Sequence, residues 1–209
     1  MEEAIKKRYD RLAEESCCLS CGSAIQFSNP LPAEVCIDFG CGRGTDVVRL
    51  AEKVGNRGFV YGIDATPGMI KKGRSFAEKL GIGNVEFILS DLEEIPLPDN
   101  IADLIISNCV LNHVHNKYNV WKEIFRLLKT GGRFVISDIY SLEPVPEEYN
   151  SDPVAIAECW AGAVTRDQYF ATVKDAGFFK VDILEESVPY RKGQIEVSSF
   201  TISSVKEYK

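Results

Sequence analysis

The 209-residue sequence has few of the features of a membrane, secreted or nucleic-acid-binding protein. No apolar stretch approaches the roughly 20 residues that a membrane-spanning helix needs. The charged N-terminal stretch MEEAIKKRYDRLAEE contains no apolar signal-peptide core. The net charge is −7 and the sequence contains no block of basic residues, which disfavours a nucleic acid or an anionic membrane surface as partner. We therefore expect a cytoplasmic protein.

Histidine is scarce, with two residues, whereas cysteine is plentiful, with seven. The odd cysteine count fits poorly with a secreted disulfide framework, so we expect free thiols in a reducing compartment. Cys36 and Cys41 fall in an apolar run and in the turn after it, where they are expected to be structural. A zinc site is disfavoured, because the chain has one C-x-x-C and no second pair at zinc-finger spacing.

Strand patterns alternate with helical patterns along most of the chain, which is long enough for one domain with a full core. The predicted strands are residues 34–39, 58–63, 85–89, 102–107, 133–139, 180–186 and 196–203. The predicted helices are residues 45–54, 67–80, 116–128, 153–160 and 166–176, and Gly131 and Gly132 are expected to end the third of them. This alternation predicts an α/β fold with a doubly wound, mostly parallel seven-stranded sheet, in which the last two strands form an antiparallel C-terminal hairpin.

The segment before the first strand, residues 1–32, is expected to be a separate unit, an N-terminal helix followed by a cysteine-rich lid segment. It combines an amphipathic helix with the stretch SCCLSCGSAIQFSNP, which is rich in serine, glycine and cysteine and predicts a loop or lid. Residues 33–209 are expected to form the main domain.

A glycine-rich turn follows the first strand in VCIDFGCGRGTDVVRL. Gly40, Gly42 and Gly44 allow the backbone to turn tightly and to approach a ligand, and the next helix points free N–H groups into the same space. Asp64 ends the second predicted strand, where a carboxylate can accept both hydroxyls of a ribose, and Asp91 follows the third. These residues converge at the carboxyl edge of the sheet, which predicts a nucleotide-like ligand there.

The chemistry of the turn argues against a dinucleotide. The sequence reads G-C-G-R-G, which departs from the G-x-G-x-x-G fingerprint of pyrophosphate sites. The carboxylate of Asp38, inside the first strand, would also repel a pyrophosphate, which carries the same sign of charge. An acidic residue there suits a ligand that ends in a cationic amine or sulfonium.

Four segments resemble the motifs of class I S-adenosylmethionine (SAM) methyltransferases. IDFGCGRGTD is similar to their motif I, YGIDAT to the ribose-binding acidic motif, SDLEEIPLPDNIADLIIS to the adenine-side motif and fourth strand, and LLKTGGRFVISD to the turn and fifth strand. The resemblance implies a Rossmann-like fold with SAM as cofactor. It places Asp38 and Gly40 near the methionine moiety, Asp64 on the ribose and Asp91 near the adenine amine. The other cofactor-site residues expected are Gly42, Gly44, Ala65, Thr66, Met69, Leu92 and Asn108, although core packing explains Met69 equally well.

The residues around the cofactor edge offer two kinds of methyl acceptor site. His113 and His115 follow the fourth strand and could act as a general base, or they could lie in a solvated loop with no special role. Cys109 lies in the same stretch and Cys159 in a segment after the fifth strand; as alternatives to a functional role, Cys109 could be a small apolar residue and Cys159 a buried helix thiol. Together with the N-terminal cysteines, three segments of the chain could bring thiols to the entrance of one acceptor site. Thiolates bind preferentially to soft centres such as trivalent arsenic.

A second resemblance bears on the acceptor. SNCVLN, SDIY followed by PVPEE, ECWAGA and RYDR…CG are similar to segments of arsenite methyltransferases. The resemblance implies that Cys109 and Cys159 are arsenic ligands, that Cys21 is the third, and that a thiol reductant takes part. The stretch CCLSC departs from the single cysteine of the family, so Cys17 or Cys18 could replace Cys21.

Two other functions remain open at this point. The chain could methylate a small organic acceptor at carbon, oxygen or thiol, with His113 as a candidate base. It could also bind SAM or a metalloid without turnover.

Overall fold

The computed structural model describes Arg8, residues 22–150, Asp152, residues 155–156 and residues 158–207. Its strands are β1 Val35–Phe39, β2 Phe59–Asp64, β3 Val85–Leu89, β4 Ala102–Asn108, β5 Leu128–Ser141, β6 Asp182–Glu186, β7 Tyr190–Lys192 and β8 Ile195–Val205. Helices in these ranges are α1 Ala24–Phe27, α2 Thr45–Val54, α3 Pro67–Lys79, α4 Lys117–Leu127, α5 Glu147–Asn150 and α6 Arg166–Asp175. None of the helices in the described part of the chain is long and apolar enough to cross a membrane.

The strands form one sheet in the order β3-β2-β1-β4-β5-β8-β6, and β7 pairs with β8. The first five strands are parallel to one another, as the alternation of strands and helices predicted. The chain order reverses between β1 and β4, so the carboxyl ends of these two strands border the crevice where open α/β sheets bind ligands. The α/β, doubly wound, Rossmann-like prediction is therefore confirmed.

The C-terminal strands run antiparallel, as predicted, but the sheet has eight strands instead of seven. β8 lies between β5 and β6 and pairs antiparallel with both. It is long enough to extend past β6, and the extra strand β7 fills that edge before a turn at Gly193, whose φ of 60° is left-handed. The sequence predicts only a loop there, because three strand residues are too few to show a pattern.

The core lies on both faces of the sheet. Along β1, Ile37 and Phe39 pack on one face with apolar residues of α4 and α6, whereas Cys36 packs on the other with residues of α2 and α3. Both predicted structural thiols, Cys36 and Cys41, are buried in this second cluster. Asp38 alternates with Ile37 and therefore shares the face of Cys36.

Three further predictions of local structure differ from the structure. α4 ends at Leu127, and Gly131 lies inside β5, because Leu128 already adopts an extended backbone and pairs with Ala102. The second difference lies in the stretch SCCLSCGSAIQFSNP, for which the sequence predicts a loop or lid. The part after Phe27 is irregular, but α1 is helical and buries Ala24 and Ile25 in the core.

The third difference concerns the segment that carries Cys159. Ala155 and Ile156 are helical, but residues 158–160 form a turn and a bend instead of the predicted helix end. Cys159 itself has a φ of 73°. A left-handed backbone cannot continue an α-helix, so the helix-thiol interpretation of Cys159 is wrong.

Candidate active site

The glycine turn after β1 is shaped by close packing. Gly40 and Gly44 have φ angles of 71° and 79°. A Cβ on Gly40 would overlap the side chain of Val110, and one on Gly44 would lie 2.6 Å from the ring of Phe87. A Cβ on Gly42 would meet nothing within 4 Å, so the space above that residue is open. The turn therefore needs glycine at its ends and exposes its middle to a ligand.

The carboxylate of Asp64 joins the end of β2 to this turn. Its Oδ2 accepts a hydrogen bond from the Gly42 backbone N–H at 3.0 Å, and its Oδ1 accepts one from the Thr66 backbone N–H at 2.8 Å. A carboxylate has about four acceptor positions, so an oriented Asp64 is the type of group that can accept ribose hydroxyls. Asp64 is held in place by these two bonds before any ligand binds.

Asp38 is a buried carboxyl with two acidic neighbours. It is 3% exposed, and its pKa is raised well above the ordinary value, first by burial and then by the charges of Asp46 and Asp64. A site that penalises its own negative charge in this way favours a cationic ligand group, which would relieve the repulsion. The observation fits the expectation of an amine or sulfonium at the tip of β1.

Asn108 ties three elements together beside this carboxyl. Its Nδ2 donates to Asp46 Oδ2 at 3.1 Å, and its Oδ1 accepts from the Ala24 backbone N–H at 3.1 Å. The side chain therefore links the tip of β4 to the start of α2 and to α1. This bridging contact is a structural role that the sequence did not indicate.

The remaining cofactor candidates lie around the same edge. Thr66 and Met69 are buried at the start of α3, and Ala65 is half-buried before them. Leu92 is buried in the core cluster on the α4 face. Asp91 is exposed, and its Oδ1 accepts from the Glu93 backbone N–H at 2.9 Å.

The set of residues fits SAM. An open backbone at Gly42, an oriented carboxylate at Asp64 and a buried acidic cluster at Asp38 provide the contacts that an adenosine ribose and a cationic methionine end require. Asp38, Gly40 and Asp64 are the residues that would hold the two ends.

Cys109 and Cys159 meet beyond the tip of β4, although 50 residues separate them in sequence. The Cys159 thiol lies 3.8 Å from the backbone oxygen of Cys109. Both residues are half-buried and adopt left-handed backbone conformations, with φ of 54° at Cys109 and 73° at Cys159. Such conformations cost non-glycine residues of the order of 1–3 kcal/mol and concentrate at functional sites.

His113 contacts the Cys159 thiol directly. Its Nε2 lies 2.9 Å from Cys159 Sγ, and its Nδ1 lies 3.0 Å from the backbone oxygen of Ile156. The side chain is 7% exposed, so the prediction of a solvated loop is wrong for His113. It holds for His115, which is exposed.

A buried polar network fixes the loop between Cys109 and His113. Asn112 Nδ2 donates to Asp138 Oδ1 at 2.9 Å and to the Ile139 backbone oxygen at 2.8 Å. Asp138 is 1% exposed, and burial raises its pKa to about 7. The loop is therefore anchored on β5 by side chains to which the sequence alone assigned no role.

Close backbone packing holds the Cys159 segment against this loop. A Cβ on Gly162 would overlap the backbone oxygen of Asn112, so only glycine fits there. Trp160 is buried in a small apolar cluster with Ile139, Ile156 and residues of β8. The glycine and the tryptophan of ECWAGA thus have packing roles beside its cysteine.

The N-terminal segment reaches the same edge. A Cβ on Gly22 would overlap the Asn108 side chain, and the Ser23 backbone N–H donates to Ser137 Oγ at 3.2 Å. Arg8 forms a 3.5 Å ion pair with Glu158, the residue before Cys159. Cys17, Cys18 and Cys21 lie outside the described residues. Across the residues the structure does describe, no three His, Cys, Asp or Glu side chains are arranged to hold a metal ion.

Comparison with known proteins gives a consistent result. A family described as "Methyltransferase domain" matches residues 31–177. An arsenite methyltransferase of Halobacterium salinarum is 39% identical over 165 residues, which are 79% of this chain and 42% of that protein. The human arsenite methyltransferase is 34% identical over 151 residues, 68% of this chain and 40% of that protein.

The similarity extends to a crystal structure. An arsenic(III) S-adenosylmethionine methyltransferase from Chlamydomonas reinhardtii superposes with a TM-score of 0.77 at 28% identity, covering 95% of this chain and 74% of that one. The chain spans less than half the length of the two curated relatives. The family match, the doubly wound sheet and the glycine turn together show that this chain belongs to the class I SAM-dependent methyltransferases.

Proposed function

We propose that this chain transfers a methyl group from SAM to trivalent arsenic held by Cys109 and Cys159, with Cys21 as the third thiolate. The observation that carries the proposal is the convergence of the two cysteines at the tip of β4, where the Cys159 thiol lies 3.8 Å from the Cys109 backbone oxygen. A generic methyltransferase needs neither cysteine there. The arsenite methyltransferases among its relatives support the same substrate.

The described residues divide the task between two sides of one edge. In this proposal Asp38 and Asp64 serve the cofactor, and Cys109 and Cys159, whose segments meet at the tip of β4, serve the acceptor. SAM supplies an electrophilic methyl group on a sulfonium. Thiolate ligands hold a soft trivalent centre pyramidally and leave its lone pair free to take a methyl group, so the acceptor itself needs no general base.

The third ligand is proposed from the position of its neighbour. Gly22 packs against Asn108, the residue before Cys109, and Cys21 immediately precedes Gly22. The contact of Gly22 with Asn108 supports Cys21 as the source of the third thiolate. We further propose that a thiol reductant takes part and that the protein works in a reducing cytoplasm, because oxidised cysteines could not bind arsenic.

The test compares arsenite methylation by the wild type with that of Cys109→Ser and Cys159→Ser. We expect each variant to lose at least 90% of the activity while its affinity for SAM, measured by calorimetry, stays within about twofold, since a twofold change is only about 0.4 kcal/mol. Cys36→Ala is the matched control, because burial raises the pKa of the Cys36 thiol to about 12 and keeps it from acting as a thiolate.

Retained arsenite methylation in both serine variants would contradict the proposal. Methylation of a small organic acceptor by those variants would instead favour the alternative that the chain is a methyltransferase of small organic molecules. His113 supports that alternative, because a buried neutral imidazole beside the acceptor space can serve as a base.

A further inference from the structure

His113 is held between a backbone carbonyl and the Cys159 thiol, and the two contacts fix where its proton resides. The Ile156 oxygen, 3.0 Å from Nδ1, can only accept a hydrogen bond, so Nδ1 carries the proton. Nε2 is then unprotonated and faces Cys159 Sγ at 2.9 Å. The thiol proton therefore points to Nε2 in preference to the Cys109 backbone oxygen, which lies farther from the same sulfur, at 3.8 Å.

The surroundings keep this imidazole neutral. The pKa of His113 is lowered to about 4, first by burial and then, to a smaller extent, by the nearby cations Arg8, Lys117 and Lys192, while the hydrogen bond to Ile156 opposes these effects. A protonated His113 would also have no lone pair for the thiol. The contact between Nε2 and Sγ places the neutral ring where it can take the Cys159 proton, and the lowered pKa means that the ring releases a proton readily.

We propose that His113 relays the Cys159 thiol proton to a leaving hydroxide when Cys159 binds trivalent arsenic. The Cys159 S–As bond forms and one As–OH bond breaks. The thiol proton passes to Nε2 and then to the departing oxygen, which leaves as water, and the oxidation state of arsenic does not change. Hydroxide is a much stronger base than imidazole, so the proton ends on the leaving group. This inference rests on the proposed function.

The relay is assigned to Cys159, because the imidazole contacts the sulfur of that residue. His113 should therefore control how fast arsenic attaches through Cys159, and leave the final affinity nearly unchanged, because a relay returns to its starting state.

The experiment follows the binding of phenylarsine oxide, which takes two thiols and releases water, to the protein without SAM. Trp160 is buried next to Cys159 and reports the reaction by stopped-flow fluorescence. His113→Gln can still accept the thiol hydrogen bond through its amide oxygen but cannot relay a proton. We expect binding to slow at least tenfold in His113→Gln and in His113→Ala, as general acid–base catalysis typically contributes about 100-fold or more.

Two further measurements separate relay from positioning. Added imidazole should restore part of the rate in His113→Ala, and the exposed His115→Gln should bind at the wild-type rate. A wild-type rate in His113→Gln, or a slow His113→Ala that imidazole does not accelerate, would overturn the relay. Wild-type protein that shows the His113-dependent binding but does not methylate arsenite would refute the proposed function alone.

Discussion

Replacing Asp138 by Asn should change how stability depends on pH. The side chain is 1% exposed, and burial raises its pKa from 3.8 to about 7. Because the folded-state pKa exceeds the unfolded one, the folded state binds the extra proton. The resulting stability is fully present below about pH 4 and is lost as the pH rises through 7.

The magnitude follows from this difference in proton affinity. Each tenfold difference in proton affinity between the folded and unfolded states corresponds to about 1.4 kcal/mol. The contribution of Asp138 to the free energy of unfolding of the wild type therefore falls by about 4 kcal/mol between pH 4 and pH 8. The amide introduced by Asp138→Asn would be neutral at every pH, and its oxygen can still accept from Asn112 and Ile139 as Asp138 Oδ1 does. The variant should therefore gain about 4 kcal/mol relative to wild type over that range.

His113 gives the opposite dependence. Burial lowers its pKa from 6.5 to about 4, so the unfolded state binds the extra proton and stability rises with pH over that interval, by about 3 kcal/mol. In wild type the contributions of Asp138 and His113 nearly cancel between pH 4 and 6.5. In Asp138→Asn the rise from His113 should become visible.

The assay is urea unfolding at pH 4, 5.5 and 8, followed by tryptophan fluorescence. Wild type and variant are compared at each pH, so that the titration of other groups cancels. Asp175→Asn, which changes an exposed residue at the end of α6, is the control and should parallel wild type. A constant difference between Asp138→Asn and wild type across this range would refute the reasoning.

Two other substitutions test the packing and the cofactor contact. Gly162→Ala should destabilise by about 1–3 kcal/mol in thermal or urea unfolding, because the new methyl overlaps a backbone oxygen. Gly83→Ala, where a Cβ meets nothing within 4 Å, should be near neutral, and equal effects would contradict the packing argument. Asp64→Ala should weaken SAM binding at least tenfold by calorimetry, about 1.4 kcal/mol, through loss of the carboxylate that also holds Gly42. The exposed Asp182→Ala should bind SAM like wild type, and unchanged binding by Asp64→Ala would rule out that role.

The sheet was predictable because its signal is local. β1 and β4 are mostly apolar, and the structure places their ends within one residue of the prediction. α2 matches residues 45–54 because its apolar residues recur at helical spacing after a glycine turn. β7 escaped prediction because it exists only through pairing with β8.

The arrangement of the proposed acceptor site was harder to predict from the sequence. Residue type and sequence neighbours were enough to propose Cys109 and Cys159, but the burial of His113 and its contact with Cys159 depend on two segments meeting in three dimensions. The need for glycine at 162 likewise arises from the oxygen of Asn112 across the gap. The polar sequence NHVHNK resembles a solvated loop, and only tertiary packing buries one of its two histidines.

The central claim, methyl transfer to arsenic, is tested most directly by one single-turnover measurement. The purified protein is incubated with SAM labelled in its methyl group, arsenite and glutathione, and the arsenic species are separated by chromatography with elemental detection. We predict that the label appears in methylated arsenic and that this product is absent in Cys109→Ser. Bound SAM that keeps its label in the presence of arsenite would contradict the account.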